Sequence, residues 1–352
     1  MAGVYISYPF CAQKCTYCNF ASGVFPKKIE HDYVDTLVRS LGSTDWPWTP
    51  ETVYLGGGTP SNAPVEVLER ILAAVPGAPW RELTMEAAPG NITPVLVDAW
   101  RKLFINRISL GTQSFVRKEL ARTGRKHTPA IVEQEVKLLQ AHGIESINLD
   151  LIAGLPGQTG ASWRESLDWV ERLQVPHVSV YMLEVDEESR LGLEILNGGA
   201  RYGAGDIPED DAIADFYEIA VERLRAIGIE RYEISNFARP GFESVHNLKY
   251  WKREPYLAFG ADAHSFDGTM RWQNPETPAE FVKRGLDVPQ KTPADERSER
   301  LFLGLRLAEG VQAEGSELSQ YEQDGLIERI GGRVRLTSRG VLLSNEVFQA
   351  FV

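Results

Sequence analysis

The sequence predicts an α/β fold in three parts: a partial, open TIM-like (β/α)6 barrel over residues 1–230, an extension over 231–290, and a small C-terminal helical, winged-helix-like domain over 291–352. Three observations predict it. Short β-branched or aromatic runs alternate with amphipathic stretches through the first two thirds of the chain, the pattern of repeated βα units around a parallel sheet. Polar and glycine-rich residues gather just after those runs, where barrels of this kind carry their chemistry. Beyond about residue 290 the alternation ends.

The strand candidates, in order, are VYIS at Val4, TVYL at Thr52, ELTMEA at Glu82, RISLG at Arg107, SINLDLI at Ser146 and HVSVYM at His177. Between them, 93–103 is a helix capped by Thr93 with Pro94 in its first position, where a missing N–H costs nothing. Over 129–142, Ile131, Val132, Val136 and Leu139 recur at helical spacing up to a stop at Gly143. A helix starting near Pro208 puts Ile213, Phe216, Ala220, Leu224 and Ile227 on one face and leads into a strand candidate, RYEIS at Arg231. In the tail, helices over 297–307 and 316–324 precede two short runs, 326–330 and 333–337, joined by the turn signal Gly331-Gly332. Helices followed by a hairpin suggest a winged-helix module, and without a basic stripe packing or partner docking is expected rather than DNA binding.

Composition narrows the function classes. A formal net charge of -12 argues against nucleic acid and anionic membrane as partners. An apolar content of 43% supports a large core, yet no apolar run approaches the roughly 18 residues a membrane helix needs. The opening MAGVYISYPF is short, starts uncharged and runs directly into cysteines, so it is expected to be the first strand rather than a signal peptide. A cytoplasmic, reducing location is expected.

Cys11, Cys15 and Cys18, in YPFCAQKCTYCNF, are the only cysteines. An odd, single cluster does not build a disulfide scaffold. Structural zinc wants a closed set of four ligands, and the nearest histidine is His31. A redox CxxC would leave Cys11 without a role. An iron–sulfur cluster held by three cysteines leaves one iron open to an outside ligand, which suits the spacing better. The strand ends add GGGTPS at 56–61, Glu86 beside AAPG, Thr112-Gln113, and Asp150 before GLPGQTG. Neither glycine loop matches a phosphate loop or a dinucleotide fingerprint. Glycines there do let a ligand approach the backbone.

CxxxCxxC with an aromatic inside resembles the cluster loop of radical SAM proteins. VYISYPFCAQKCTYCNF, YLGGGTPS, TMEAAPG, RISLGTQSF, GRKHT, NLDLIAGLPGQT, YEISNFARPG, HNLKYW and GADAHS are similar, in order, to the blocks of the HemN/HemW group within that superfamily. The chain is more similar to the group's heme chaperones than to its oxygen-independent coproporphyrinogen III dehydrogenases. The dehydrogenases carry a further cysteine where Phe20 stands here, and an N-terminal extension where only a short segment precedes Cys11.

The resemblance implies roles at matching positions. Cys11, Cys15 and Cys18 would bind three irons of a [4Fe-4S] cluster. Tyr5, Gly57, Gly58, Thr59 and Glu86 would contact S-adenosylmethionine (SAM), and Gln113, Arg125 and Asp150 match positions that hold a second SAM. His246, in HNLKYW, would contact heme beside flat walls from Tyr250 and Trp251, with His264 the alternative. His31, His127, His142 and His177 are expected to be structural. The function so implied is uptake of heme and its delivery to heme-accepting respiratory proteins, with peripheral contact with membrane proteins. The competing expectation is an enzyme in which the reduced cluster cleaves SAM to act on a porphyrinogen or another tetrapyrrole.

Overall fold

The computed structural model describes residues 2–313 and 318–351. All six expected strands form: β1 Ala2–Tyr8, β2 Pro50–Gly57, β3 Glu82–Ala87, β4 Arg107–Gln113, β5 Ser146–Ala153 and β6 His177–Met182, each parallel to the next. Their side chains alternate between two environments. Val4, Ile6, Val53, Leu55, Leu83, Met85, Ile108, Leu110, Ile147, Leu149, Val178 and Val180 are buried in one core with Leu37, Ile71, Trp100, Val136, Trp163 and Leu167 of the surrounding helices. The opposite face carries Tyr5, Thr52, Tyr54, Thr84, Glu86, Arg107, Ser109, Asn148, Asp150, Ser179 and Tyr181. Tyr181 on β6 acts electrostatically on Tyr54 on β2. In a flat sheet four strand spacings would part them by roughly 19 Å, so the sheet curls and its polar face lines a lumen.

The sheet is longer than six strands and stays open. The expected strand at Arg231 stops almost at once: β7 is only Glu230–Arg231, and β8, Asn236–Ala238, returns antiparallel to both β7 and β6. The cause is a local turn in which Tyr232 N donates to Asn236 O (3.1 Å) and Glu233 Oε1 accepts from Ser235 N (3.0 Å) and from Asn236 Nδ2 (2.5 Å). At the other edge β9, Tyr256–Phe259, lies parallel to β1 and makes a seventh parallel strand. Beyond it β10 His264–Phe266, β11 Met270–Gln273 and β12 Thr292–Pro293 continue antiparallel, leaving β12 and β7 as the two free edges.

The expected helices form. Thr93 Oγ1 accepts from Leu96 N ahead of Pro94–Lys102, Thr128 serves Pro129–Ala141 in the same way, and Asp210–Ala226 follows Pro208. In the tail, Asp295 caps Glu296–Gly304, and β13 Val311–Gln312 packs with the hairpin β14 Ile327–Ile330 and β15 Arg333–Leu336 in a three-stranded sheet. Gly331 and Gly332 both take positive φ in its turn, which an L side chain resists. The intervening helix is described from Ser319 to Gln323; its expected start at 316 lies outside the described residues. Among the described residues, no helix is long and apolar enough to cross a membrane.

Candidate functional site

The three cysteines sit on the loop leaving β1. That loop is tied down by Cys11 N donating to Gly23 O (2.8 Å), Gly23 N to Pro9 O (2.9 Å), Thr16 N to Thr123 O (3.3 Å) and Leu191 N to Thr16 O (2.8 Å). All three thiols are free and partly buried. Burial pushes the Cys11 thiol up; hydrogen bonds from Thr59 and Ser22 pull it down, and the neighbouring thiols Cys18 and Cys15 raise it again. The thiols are thus within electrostatic reach of one another. Among the described residues, no three such side chains are gathered tightly enough to hold a single metal ion. A cubane cluster asks for something different, because each thiolate takes its own iron at a separate corner. Three free thiols on one pinned loop fit that demand. Phe20, two residues beyond Cys18, is 67% exposed.

The glycine loop after β2 closes against the same segment. Gly58 N donates to Tyr8 O (2.9 Å) and Thr59 N to Phe10 O (3.0 Å). A Cβ at Gly58 would lie 2.7 to 2.8 Å from the backbone of Tyr8, Pro9 and Phe10, so this glycine is required by packing before any ligand is considered. A Cβ at Gly56 would meet Tyr54, Glu86 and Tyr5 at 2.9 to 3.1 Å, and Gly57 takes φ +101. Glu86, on β3, accepts from Gly57 N (3.1 Å) and Tyr54 Oη (3.0 Å), and the Tyr54 ring stacks on Tyr5 with centroids 6.0 Å apart. Tyr5, Gly57, Gly58, Thr59 and Glu86 therefore converge beside the cysteine loop.

Across the lumen, Asp150 on β5 accepts from Asn148 Nδ2 (2.7 Å) and Ser109 Oγ (3.2 Å). Burial, and then the nearby Asp150, push Glu86 up to about 7. Burial likewise raises Asp150 to about 6, against hydrogen bonds from Asn148, Ser179 and Ser109 and the charge of Arg125. Arg125 donates to Gly111 O (2.7 Å) and lies beside Tyr17 and Cys15, with its Nε buried and unpartnered. Gln113 holds φ +67 at the end of β4. Two half-buried carboxylates sharing one lumen favour a ligand that brings positive charge. The ammonium and sulfonium of SAM would supply it, and the residues fit that group.

His246 is placed differently from what the sequence suggested. It lies on the short helix Val245–Trp251 under the N-terminal ends of the strands, the end of the barrel opposite the cysteine loop. Glu82 anchors that helix, accepting from Ser244 Oγ (3.2 Å), Val245 N (2.9 Å) and His246 N (2.8 Å), while Arg107 Nη1 donates to Phe242 O (3.0 Å). The imidazole is 1% exposed, with Nδ1 2.8 Å from Thr52 Oγ1 and Nε2 2.8 Å from Tyr250 Oη. Burial, and then Lys249, push it down to about 3, so it is neutral. Neither nitrogen is free for iron in this conformation. His264 is exposed on β10. His177 bonds Asn148 Oδ1 (2.6 Å) and Tyr232 Oη (2.9 Å) in the lumen wall, and His127 Nε2 contacts Thr112 O (3.0 Å).

Sequence reasoning missed the lumen's remaining lining: Tyr54, Thr84, Ser109, Asn148, Ser179 and Tyr181. The signal was available, since these are the polar alternates within strands whose other positions are Val, Ile and Leu.

Comparison with known proteins follows the same lines. The model of the radical SAM superfamily matches residues 5–170. Along nearly its whole length the chain is similar to the proteins named heme chaperone HemW of Lactococcus lactis, 31% identical over 99% of this chain and 96% of that protein, and of Bacillus subtilis, 31% identical over 100% and 99%. The heme chaperone HemW of Escherichia coli is 35% identical over 74% of this chain and 69% of its own. Among solved structures, the coproporphyrinogen III oxidase of Escherichia coli, a radical SAM enzyme, superposes with a TM-score of 0.84 at 20% identity, covering 99% of this chain and 89% of that one, a likeness of fold.

Proposed function

The chain belongs to the HemW family of radical SAM proteins, and on that premise we propose that it takes heme into the barrel lumen and passes it to heme-accepting respiratory proteins. Cys11, Cys15 and Cys18 would hold a [4Fe-4S] cluster, Tyr5, Gly57, Gly58, Thr59 and Glu86 would hold SAM, and Gln113, Arg125 and Asp150 would hold a second SAM. When bound, the cluster supplies one-electron chemistry through its cysteine-free iron.

The residues of this chain do the rest. Glu86 and Asp150 hold positive charge in the lumen. The curled sheet and the helix Val245–Trp251 keep water from the lower half. The observation that carries the heme reading is the aromatic lining that ends on His246: Tyr5, Tyr54, Tyr250 and Tyr256 gather there, with Tyr250 edge-on to Tyr256 at 4.6 Å and Tyr54 5.3 Å from His246 between centroids. Flat apolar walls beside an imidazole are what a heme requires. For His246 to reach iron, the Nε2–Tyr250 hydrogen bond must open first, so uptake includes a rearrangement of the lumen floor.

Heme titration of anaerobically purified protein, followed by the Soret band, tests this. Tyr250→Phe removes the competitor for Nε2 and is expected to tighten heme binding; His246→Ala is expected to weaken it and shift the band. Unchanged binding and an unchanged band in both variants would remove His246 from the heme site.

A further inference from the structure

One corner of the lumen is built yet unsatisfied. The segment after the helix Glu296–Gly304 pairs with the turn at β7: Ala308 N donates to Tyr232 O (2.9 Å), and Leu307 bridges Glu233. That pairing swings Arg306 over the Trp251 ring, with Cζ 4.5 Å from its centroid, and over Phe348 at 5.6 Å. Among the described residues the Arg306 side chain makes no hydrogen bond and no ion pair, and its Nε is closed off from solvent. Trp251 Nε1 and Glu233 Oε2, at the same corner, are buried and unpartnered as well.

Buried polar atoms without partners cost about 1–3 kcal/mol each, so three together mark a place that something else fills. The corner adjoins the lumen. Trp251 packs edge-on to Tyr250 at 6.4 Å, and Glu233 acts on the lumen-facing Tyr181, which is 43% exposed and also feels Asp150 and Glu86.

We propose that Arg306, backed by Trp251 and Phe348 and flanked by Glu233, binds a carboxylate of the lumen's ligand, which for a tetrapyrrole is a propionate. A guanidinium matches a carboxylate as a planar fork, and the aromatic faces fix that fork without consuming its donors. Trp251 Nε1–H is a second donor. Burial pushes the Glu233 carboxyl up, against the charge of Arg306. The C-terminal segment thus completes a site that the barrel alone leaves open. This assignment rests on the heme reading above.

The test compares heme with its dimethyl ester, in which both propionates are neutral, in wild type, Arg306→Gln and Arg306→Lys. Wild type is expected to prefer heme about tenfold or more, the worth of charge-assisted hydrogen bonds. Arg306→Gln should bind both ligands alike at unchanged melting temperature, and Arg306→Lys should keep part of the preference. Should Arg306→Gln fail to fold, Arg306→Lys decides: a full preference in that variant refutes the fork. Preference retained in Arg306→Gln, or absent in wild type while heme still binds, overturns this assignment and leaves the heme reading standing. Wild type that binds neither ligand overturns both.

Discussion

Replacing Glu82 by alanine should unlatch the floor of the lumen. This carboxylate is 6% exposed and takes three donors from the start of the helix Val245–Trp251: Ser244 Oγ at 3.2 Å, Val245 N at 2.9 Å and His246 N at 2.8 Å. The two amides belong to the first turn of a helix, where no backbone acceptor exists for them. Hydrogen bonds to a charged group are worth about 1.5–3 kcal/mol each, but three on one carboxylate do not add in full. A loss of about 3–5 kcal/mol is expected in urea unfolding of the anaerobic protein. If the loss is local, amides over 245–251 should exchange roughly a hundred- to several-thousandfold faster, since about 1.4 kcal/mol is tenfold. Glu82→Gln keeps one acceptor and should fall between the two. A loss below about 1 kcal/mol with those amides still protected would refute the claim that Glu82 holds the floor.

Further predictions concern the upper half of the lumen. Glu86 stands near 4.5 when unfolded and about 7 in the fold, so the folded chain binds more protons across that window; its contribution to stability is full below pH 4.5 and is lost as pH rises to 7. Glu86→Gln should therefore flatten the fall of melting temperature with pH over that range in SAM-free protein, and an unchanged profile would contradict the assignment. Gly58→Ala places a methyl 2.7 Å from the Tyr8 carbonyl oxygen and should destabilise by about 1–3 kcal/mol while pushing the glycine loop off the cysteine loop, read as lowered iron content after reconstitution. Cys15→Ser should lose iron and the visible absorbance of the cluster; full retention of both would show that Cys15 is not a ligand.

Much of the barrel was legible because parallel strands announce themselves as β-branched runs and helices as stretches of 3.6 periodicity; the Thr93-Pro94 cap marked one helix start and the periodic run from Pro129 another. The cysteine loop was legible because an odd count of three cysteines with no fourth ligand nearby weighs against a disulfide scaffold and a closed zinc site. The strand at Arg231 was overread, since Glu233 hydrogen-bonds within its own turn and ends pairing after two residues. The burial of His246 was hidden, because it depends on Glu82 and Thr52, respectively 164 and 194 residues away. Arg306 was hidden for the same reason: only closure of the C-terminal segment on the barrel edge brings it over Trp251.

The central claim is that this radical SAM scaffold holds heme rather than oxidising a porphyrinogen. Anaerobic protein with its cluster reconstituted and SAM present, titrated with heme while coproporphyrinogen III turnover is assayed in parallel, tests it most directly. The expected result is a saturable Soret band at a single heme per chain, with no turnover. Turnover without heme binding would contradict it.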